Sequence, residues 1–244
     1  MTKITDYNNI AKDFSNYKQN TEDDKDLPTE RLGHTMLLNF ISNQGPKNIL
    51  DYGCGSGDLT KEISQYAEYV LWLDISSELL KIAESNNKAT NIQYRKIRDI
   101  NKLKKIVKWK LFDVITLNYV LCTIPLKIDL SNILSQLYGL LKDNWKIYIQ
   151  NPNRDDSNGK SFKTYTLNKK GNIKSGDLVI TTLATNTNNP FDVNDYFYTQ
   201  WEYTELLQSV GYKNIKIHII YGDSNKWRQA ESTYSPCYII EAVK

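Results

Sequence analysis

Three features of this 244-residue sequence predict an α/β fold with a doubly wound, mostly parallel sheet. Short apolar runs alternate with helical patterns through the middle of the chain. A glycine-rich turn joins the first of these runs to a helix. Hydrophobic residues make up 40% of the chain, which is enough to bury a core. Repeated alternation of strand and helix implies right-handed crossovers between parallel strands, with helices on both faces of the sheet.

The N-terminal region predicts two helices. Apolar side chains recur at intervals of three and four over residues 4–20, so they share one helical face. They are Ile4, Tyr7, Ile10, Ala11, Phe14 and Tyr17. A second helix begins at Pro28 and Thr29 and runs to about Ile41, before Gly45 and Pro46. We expect residues 1–45 to form a helical lid.

Residues 46–150 carry the strand–helix alternation itself, and we expect them to form the ligand-binding core. The predicted strands are 48–52, 69–73, 92–97, 112–117 and 146–149. The predicted helices are 59–67, 78–86 and 130–141.

The pattern changes after residue 150. Residues 151–200 are polar, with two predicted strands at 162–167 and 178–183. A helix at 201–210, ended by Gly211, and strands at 216–221 and 237–243 then complete the sheet. We expect 151–200 to be an insertion that covers the carboxyl edge of the sheet, within a chain that forms one domain over 1–244.

Charge and cysteine content exclude several classes of protein. The formal net charge is only +3, from 31 Lys and Arg against 28 Asp and Glu, which disfavours a nucleic-acid or membrane-surface binder. Cys54, Cys122 and Cys237 are too far apart in sequence for a C-x-x-C pair, so neither a disulfide framework nor a zinc site is predicted. We also find neither a signal-peptide pattern nor an apolar stretch of about 20 residues that would suit a membrane helix. A cytoplasmic protein is expected.

The most informative segment is ILDYGCGSG, at 49–57. A buried strand runs into a glycine-rich turn that leads to a helix, and glycines there let a ligand approach the backbone closely. Asp51 precedes the turn, and Asp74 ends the next strand, where an acid can accept both hydroxyls of a ribose. A dinucleotide fingerprint would have glycine where Asp58 stands, and an acid beside a pyrophosphate is unfavourable.

These residues resemble the class I S-adenosylmethionine-dependent methyltransferases. The resemblance implies a Rossmann-like sheet of seven strands with an antiparallel pair at one edge, and S-adenosylmethionine as cofactor. It places Asp51, Gly53, Cys54, Gly55 and Gly57 around the methionine moiety, Asp74 on the ribose, and Ile75, Asp99 and Ile100 around the adenine. Asn118, at the end of the fourth strand, would border the methyl donor. Tyr17 and Arg31 are candidates for its carboxylate, with core packing and an exposed helix position as the alternatives.

Histidine is scarce, with two residues, whereas tyrosine is abundant, with 17. His34, on the second helix, and Asn151, after the fifth strand, are the candidate catalytic residues; a helix-surface position is the alternative for His34. His218 lies in an edge-strand pattern and is expected to be structural. Scarce imidazole predicts that catalysis depends mainly on positioning and desolvation.

The predicted substrate is a small molecule, aromatic or heterocyclic. The protein itself is expected to be a monomer or a homodimer. Amphipathic aromatic side chains near the expected crevice suit such a ligand. The candidates are Tyr7, Tyr119, Tyr165, Tyr196, Tyr198 and Trp201. Methyl transfer to nitrogen is slightly favoured over oxygen, because nitrogen often needs no base.

Two alternatives stay open at this stage. Basic residues between 102 and 110 could contact the phosphates of RNA, although a solvated helix explains them as well. The chain could also be a non-catalytic, cofactor-binding partner subunit, against which the intact glycine turn argues.

Overall fold

The computed structural model describes residues 3–19, 29–108, 110–168, 171–184, 187–223 and 229–244. Its strands are β1 (Asn48–Tyr52), β2 (Tyr69–Asp74), β3 (Ile92–Lys96), β4 (Phe112–Asn118), β5 (Leu141–Pro152), β6 (Tyr165–Leu167), β7 (Leu178–Leu183), β8 (Phe191–Tyr196), β9 (Lys213–Ile220) and β10 (Cys237–Val243). Its helices are α1 (Ala11–Gln19), α2 (Arg31–Ser42), α3 (Asp58–Ile63), α4 (Ser77–Asn86), α5 (Leu103–Ile106), α6 (Lys127–Tyr138), α7 (Arg154–Ser157), α8 (Gln200–Val210) and α9 (Gln229–Thr233).

Seven strands form the main sheet in the order β3-β2-β1-β4-β5-β10-β9. The pairs from β3 to β5 are parallel, and β10 runs antiparallel to both of its neighbours, β5 and β9. The predicted fold class is therefore confirmed, including the antiparallel pair at the edge. The carboxyl ends of β1, β2 and β4 meet at one rim, which is the usual ligand crevice of such a sheet.

Each face of this sheet buries a separate apolar cluster, because successive strand residues point to opposite sides. Ile49 contributes to the cluster beneath α2 and α3, whereas Leu50 contributes to the cluster beneath α6 and α8. Both side chains are fully buried. This near-continuous apolar character is typical of a parallel strand that is covered on both faces.

Residues 151–200 supply a second sheet, with the order β6-β7-β8 and antiparallel pairing. It packs against α1 through a third apolar cluster that includes Tyr17, Phe162, Tyr165, Leu183 and Val193. The sequence predicted β6 and β7 but not β8. The sequence of β8, FDVNDY, has the polar residues Asp192, Asn194 and Asp195 between its apolar ones and so lacks the usual signature of a strand.

The first helix is shorter than its periodicity predicts, because it begins at Ala11 and not near Ile4. Residues 3–8 instead form a non-helical segment, which we call the N-terminal strap. The Asn194 backbone N–H donates to Thr5 Oγ1 at 2.8 Å, which ties the strap to β8. Asn8 Oδ1 accepts from Ser76 Oγ at 3.0 Å, which ties its other end to the start of α4. Every described helix is too short or too polar to cross a bilayer.

Candidate active site

A cavity of about 370 Å³ lies where the rim of the main sheet meets the N-terminal region and the second sheet. All three parts of the fold contribute to its wall. The main sheet contributes Asp51, Gly53, Cys54, Gly55, Asp74, Ile75, Asn118 and Tyr119. The N-terminal region contributes Tyr7, Phe14, Tyr17, Glu30 and His34. The second sheet contributes Tyr165, Leu167, Thr181, Leu183, Val193 and Asp195.

The glycine turn forms the floor of this cavity. Gly53 N–H donates to Leu73 O at 2.7 Å, so the turn is anchored to the end of β2. Gly55 has a φ of +58°, in the left-handed region that favours glycine. A Cβ at Gly55 would first meet the Phe14 ring, at 3.4 Å. The backbone at Gly55 is therefore open on the side where a ligand would lie, beneath the aromatic ring of α1.

Asp74 is positioned at the rim by two backbone groups. Gly55 N–H donates to one carboxylate oxygen at 2.8 Å, and Ser76 N–H donates to the other at 2.8 Å. A carboxylate has about four acceptor sites, so Asp74 can receive the hydroxyls of a ribose in addition to these bonds. The neighbouring Ile75 side chain is 60% exposed and lines the cavity, as an adenine-packing residue requires.

Asp51, which precedes the glycine turn, is held by two side-chain hydrogen bonds. Its carboxylate accepts from Thr116 Oγ1 at 2.7 Å and also from the hydroxyl of Thr60. These bonds join β1 to β4 and to α3, and they fix the side chain beneath the floor. Asp51 therefore has a structural task in addition to any contact with a cofactor.

Asn118 and Tyr119 form the end of β4, next to the turn. Both polar atoms of the Asn118 amide are buried, and neither has a hydrogen-bond partner among the described residues. Buried polar groups are normally satisfied, so this amide fits a ligand that supplies a donor and an acceptor. Tyr119 has a φ of +55°, which is uncommon outside glycine and is found at functional sites. The Tyr119 hydroxyl accepts from Gln150 Nε2 at 2.8 Å.

Five tyrosines give the cavity an aromatic lining: Tyr7, Tyr17, Tyr52, Tyr119 and Tyr165. Burial raises the pKa of each hydroxyl above its usual value, and nearby acids raise the pKa of Tyr7 and Tyr17 further. These phenols therefore stay protonated at neutral pH. They cannot act as bases, and two of them already donate within the protein: the Tyr17 hydroxyl to Glu30 at 2.7 Å and the Tyr165 hydroxyl to Pro236 O at 3.0 Å.

Several residues predicted for the cofactor lie outside the cavity. The Arg31 guanidinium forms an ion pair with Glu62 and is turned towards α3. Gly57 packs against the Trp72 ring, which a Cβ at this position would approach to 2.3 Å. Asp99 accepts from Asn101 N–H at 3.0 Å and caps a 3-10 turn. Arg31, Asp99 and Ile100 do not line the cavity, where Ile97 lies instead, and their contacts with the cofactor stay predictions.

Three residues predicted to contact the substrate, Tyr196, Tyr198 and Trp201, also lie outside the lining of this cavity. The Tyr196 hydroxyl bonds to the Lys3 backbone, and the Tyr198 hydroxyl donates to Pro125 O at 3.0 Å. The Trp201 side chain is 65% exposed on α8, away from the cavity. Asn151, a candidate catalytic residue, is buried opposite Tyr238 in the β5–β10 pair and does not reach the cavity. Of the two candidate catalytic residues, His34 lines the cavity.

Two acidic residues that line the cavity, Glu30 and Asp195, were not predicted from the sequence. Glu30 stands one helical turn before His34, so helical spacing could have placed both on one face. Asp195 lies on β8, the strand that the sequence pattern did not reveal. Asp195 accepts from Thr181 Oγ1 at 2.5 Å and lies 3.6 Å from Arg154 Nη2. Burial raises the pKa of Asp195, an effect that the Arg154 charge opposes.

Comparison with known proteins supports what the geometry indicates. A family model described as "Methyltransferase domain" matches residues 29–217, which is most of the chain. The chain belongs to this methyltransferase family. Its glycine turn, Asp74 and Asn118 fit S-adenosylmethionine, the methyl donor that the resemblance implied.

Curated relatives and solved structures agree with this assignment. The chain is 25% identical over 216 residues to a ubiquinone biosynthesis O-methyltransferase of Coxiella burnetii, covering 86% of each chain. An S-adenosylmethionine-dependent methyltransferase of Clostridium acetobutylicum is 18% identical with a TM-score of 0.63, covering 98% of this chain and 99% of that one. The N-methyltransferase NodS of Bradyrhizobium japonicum, solved with S-adenosylhomocysteine, is 14% identical with a TM-score of 0.57, covering 95% and 97%. The two structures show that this methyltransferase shares their fold.

Proposed function

We propose that this methyltransferase transfers a methyl group from S-adenosylmethionine to a nitrogen or oxygen atom of a small, aromatic or heterocyclic metabolite. One observation carries the proposal. The glycine turn and Asp74 share a single cavity with the tyrosine wall supplied by the N-terminal region and the second sheet. A donor on the floor and an acceptor against the wall would therefore be neighbours.

The size and closure of the cavity favour a small acceptor. A volume of about 370 Å³ is at the lower end of the range for small-molecule sites, roughly 300–1,000 Å³. The strap, α1 and the second sheet cover it, and a folded nucleic acid could not enter beneath them without their displacement. Enclosure also excludes water, which strengthens the electrostatic interactions inside the site.

The residues of the wall act mainly by positioning. Bound S-adenosylmethionine supplies an electrophilic methyl group. The amide of Asn118 can hold polar groups beside the reacting atoms, and the tyrosine rings can pack against an aromatic acceptor. Such alignment of two reactants is worth up to about 7–11 kcal/mol of the barrier in well-oriented systems.

Two observations bear on whether the acceptor atom is nitrogen or oxygen. Nitrogen is favoured by the cavity, because its five tyrosines stay protonated and His34 is the one imidazole among the described lining residues. Oxygen is supported by the curated relatives, whose names describe O-methyltransferases. An oxygen acceptor would require a base, and His34 is the candidate for that role.

Transfer of labelled methyl groups tests the proposed class of substrate. The protein is incubated with methyl-tritiated S-adenosylmethionine and, in separate reactions, a metabolite extract, total RNA or total protein. We expect label in the low-mass fraction, and we expect Asp74→Asn to abolish it. Label in RNA would support the RNA alternative, and no transfer by a protein that binds the cofactor would support the partner-subunit alternative.

A further inference from the structure

A buried glutamate, Glu30, lines the cavity. Glu30 directly precedes α2, is 5% exposed and lines the cavity. One carboxylate oxygen accepts from the Tyr17 hydroxyl at 2.7 Å, and the other accepts from Thr164 Oγ1 at 2.8 Å. Two neutral hydroxyls from different parts of the fold therefore fix its position.

No cationic side chain compensates Glu30 in the described part of the chain. Within those residues, no lysine, arginine or histidine forms an ion pair with it. Asp195 also lines the cavity but has a cationic partner, because its carboxylate lies 3.6 Å from the Arg154 guanidinium. Buried charges in proteins are normally paired, since removing a charge from water is costly. A ligand with a positive charge would supply the missing partner.

The surroundings of Glu30 are aromatic. Tyr17, Tyr119 and Tyr165 line the same cavity, and Tyr17 bonds directly to the carboxylate. Burial raises the pKa of all three hydroxyls, and the negative charge of Glu30 contributes to each increase. Aromatic faces around a carboxylate are suited to ammonium groups, because the ring quadrupole attracts a cation.

We propose that the methyl acceptor is a basic amine that binds in its ammonium form, with Glu30 as the specificity-determining residue. This inference rests on the proposed function and narrows the acceptor atom to nitrogen. It also accounts for a carboxylate that is buried among tyrosines and has no cationic partner within the described residues. A neutral hydroxyl acceptor would leave that charge uncompensated.

Glu30 also provides a destination for the proton that the amine must lose. The ammonium proton passes to the Glu30 carboxylate, and the nitrogen lone pair then forms the new bond to the methyl carbon. The bond between that carbon and sulfur breaks, with its electron pair remaining on sulfur. The products are S-adenosylhomocysteine and an N-methylated ammonium. The proton on Glu30 returns to solvent when the product leaves.

Competition between matched amines and alcohols tests the inference. The wild-type protein is saturated with S-adenosylhomocysteine and titrated with phenethylamine and benzylamine, and then with phenethyl alcohol and benzyl alcohol. We expect each amine to bind roughly tenfold or more tightly than its alcohol, as a buried charge pair allows. Equal binding of the two members of a pair, or binding of neither, overturns the inference.

The Glu30→Gln variant assigns this preference to one residue. It keeps the shape of the side chain: its amide oxygen can accept from one of the two hydroxyls, Tyr17 or Thr164, and its amide nitrogen can donate to the oxygen of the other. We expect it to lose the preference for amines. Its affinity for S-adenosylhomocysteine should stay within about threefold of the wild type, which shows that the variant is folded. Glu241→Gln, at a buried glutamate paired with Lys146 outside this cavity, is the matched control and should keep the preference.

Two results of the variant experiment would overturn the inference. One is an amine preference that persists in Glu30→Gln. The other is a large loss of S-adenosylhomocysteine affinity in that variant, which would assign Glu30 to the cofactor. If the wild-type protein fails to bind S-adenosylhomocysteine at all, the proposed function itself fails, and this outcome is distinct from a missing amine preference.

Discussion

Individual glycines of the turn have different tasks, and substitution can separate them. Gly57 has a φ of +83°, and a Cβ there would lie 2.3 Å from the buried Trp72 ring. We expect Gly57→Ala to lower the free energy of unfolding by roughly 2–4 kcal/mol, from backbone strain plus overpacking. Chemical denaturation measures the loss.

Gly45→Ala is the matched control for that substitution. Its φ is also positive, at +58°, but a Cβ there would meet no atom within 4 Å. Its cost should be close to that of the backbone strain alone, about 1 kcal/mol. Similar losses in the two variants would contradict the packing role of Gly57.

Substitution of His34 tests whether its imidazole acts as a general base. If positioning within the aromatic cavity dominates, His34→Gln should lower kcat by less than about tenfold, because general bases contribute about 10²–10⁴. The acceptor found by the labelling experiment provides the assay. A loss of a hundredfold or more, with unchanged affinity for S-adenosylhomocysteine, would identify His34 as the base.

At the residue scale, local sequence patterns located the cavity-lining residues at the ends of the parallel strands. Residues of the glycine turn, Asp74 and Asn118 lie at the ends of parallel strands, and strand ends can be located from local sequence patterns. Trp201 and Glu30 show the limit of this approach. Both lie near a helix N-terminus, yet the first is 65% exposed and the second 5% exposed. That difference depends on the packing of distant segments, which no local pattern specifies.

At the scale of elements, α8 has a complete capping box at its N-terminus. Thr199 Oγ1 accepts from Glu202 N–H at 3.2 Å, and the Glu202 carboxylate accepts from Thr199 N–H at 2.9 Å. Burial acts to raise the pKa of Glu202, but hydrogen bonds from Ser175, Thr199 and Lys127 outweigh it, so the pKa is lowered. The cap therefore favours the ionised carboxylate.

The lowered pKa predicts a stability difference that depends on pH. An acid whose pKa is depressed by folding stabilises the protein above its unfolded pKa and loses this effect as the pH falls through its folded pKa. Glu202→Gln should cost about 1 kcal/mol at pH 7. The gap from the wild type should narrow as the pH falls below the ordinary glutamate value of 4.5. A gap that stays constant down to acid pH would show that charge at Glu202 is unimportant.

The N-terminal strap is the element that closes the cavity. Asn8 Oδ1 accepts from Ser76 Oγ at 3.0 Å and from Glu78 N–H at 3.3 Å, so the strap caps the start of α4 next to Asp74. We expect Asn8→Ala to speed the release of S-adenosylhomocysteine by roughly tenfold, because these bonds hold the cover in place. Stopped-flow dissociation measures this rate.

Asn9→Ala controls for the loss of an amide in the same segment. Asn9 is exposed, and its backbone N–H donates to Asp6 O, within the strap, at 3.1 Å. The Asn9→Ala variant should release S-adenosylhomocysteine at the same rate as the wild type. Equal rates in the Asn8 and Asn9 variants would mean that the strap does not limit release.

The strap also shows why the first helix was predicted to be too long. Ile4 and Tyr7 have the spacing of a helical face, but the backbone and side chains of residues 3–8 bond to β8 and α4 instead. Tertiary contacts override local propensity when they satisfy the same polar groups. Similarly, β5 was predicted over four residues and runs from Leu141 to Pro152, because pairing with β4 and β10 extends it.

At the scale of the whole molecule, the order of the strands explains the location of the site. The connection from β3 to β4 returns the chain to the other side of β1, so the ends of β1, β2 and β4 lie at one rim. The chain covers that rim with its N-terminal region and with residues 151–200. The alternation of strands and helices was sufficient to predict the sheet. The arrangement of the two covers was not predictable in detail, because it depends on long-range contacts such as that between Glu30 and Thr164.

Isothermal titration with S-adenosylhomocysteine tests the central claim most directly. The cavity predicts one binding site per chain and a loss of affinity of roughly tenfold or more in Asp74→Asn, since hydrogen bonds to a charged group are worth about 1.5–3 kcal/mol. Asp129→Asn, at an exposed position on α6, should bind as the wild type does. No binding by the wild-type protein, or unchanged affinity in Asp74→Asn, would contradict the placement of the cofactor and the function that follows from it.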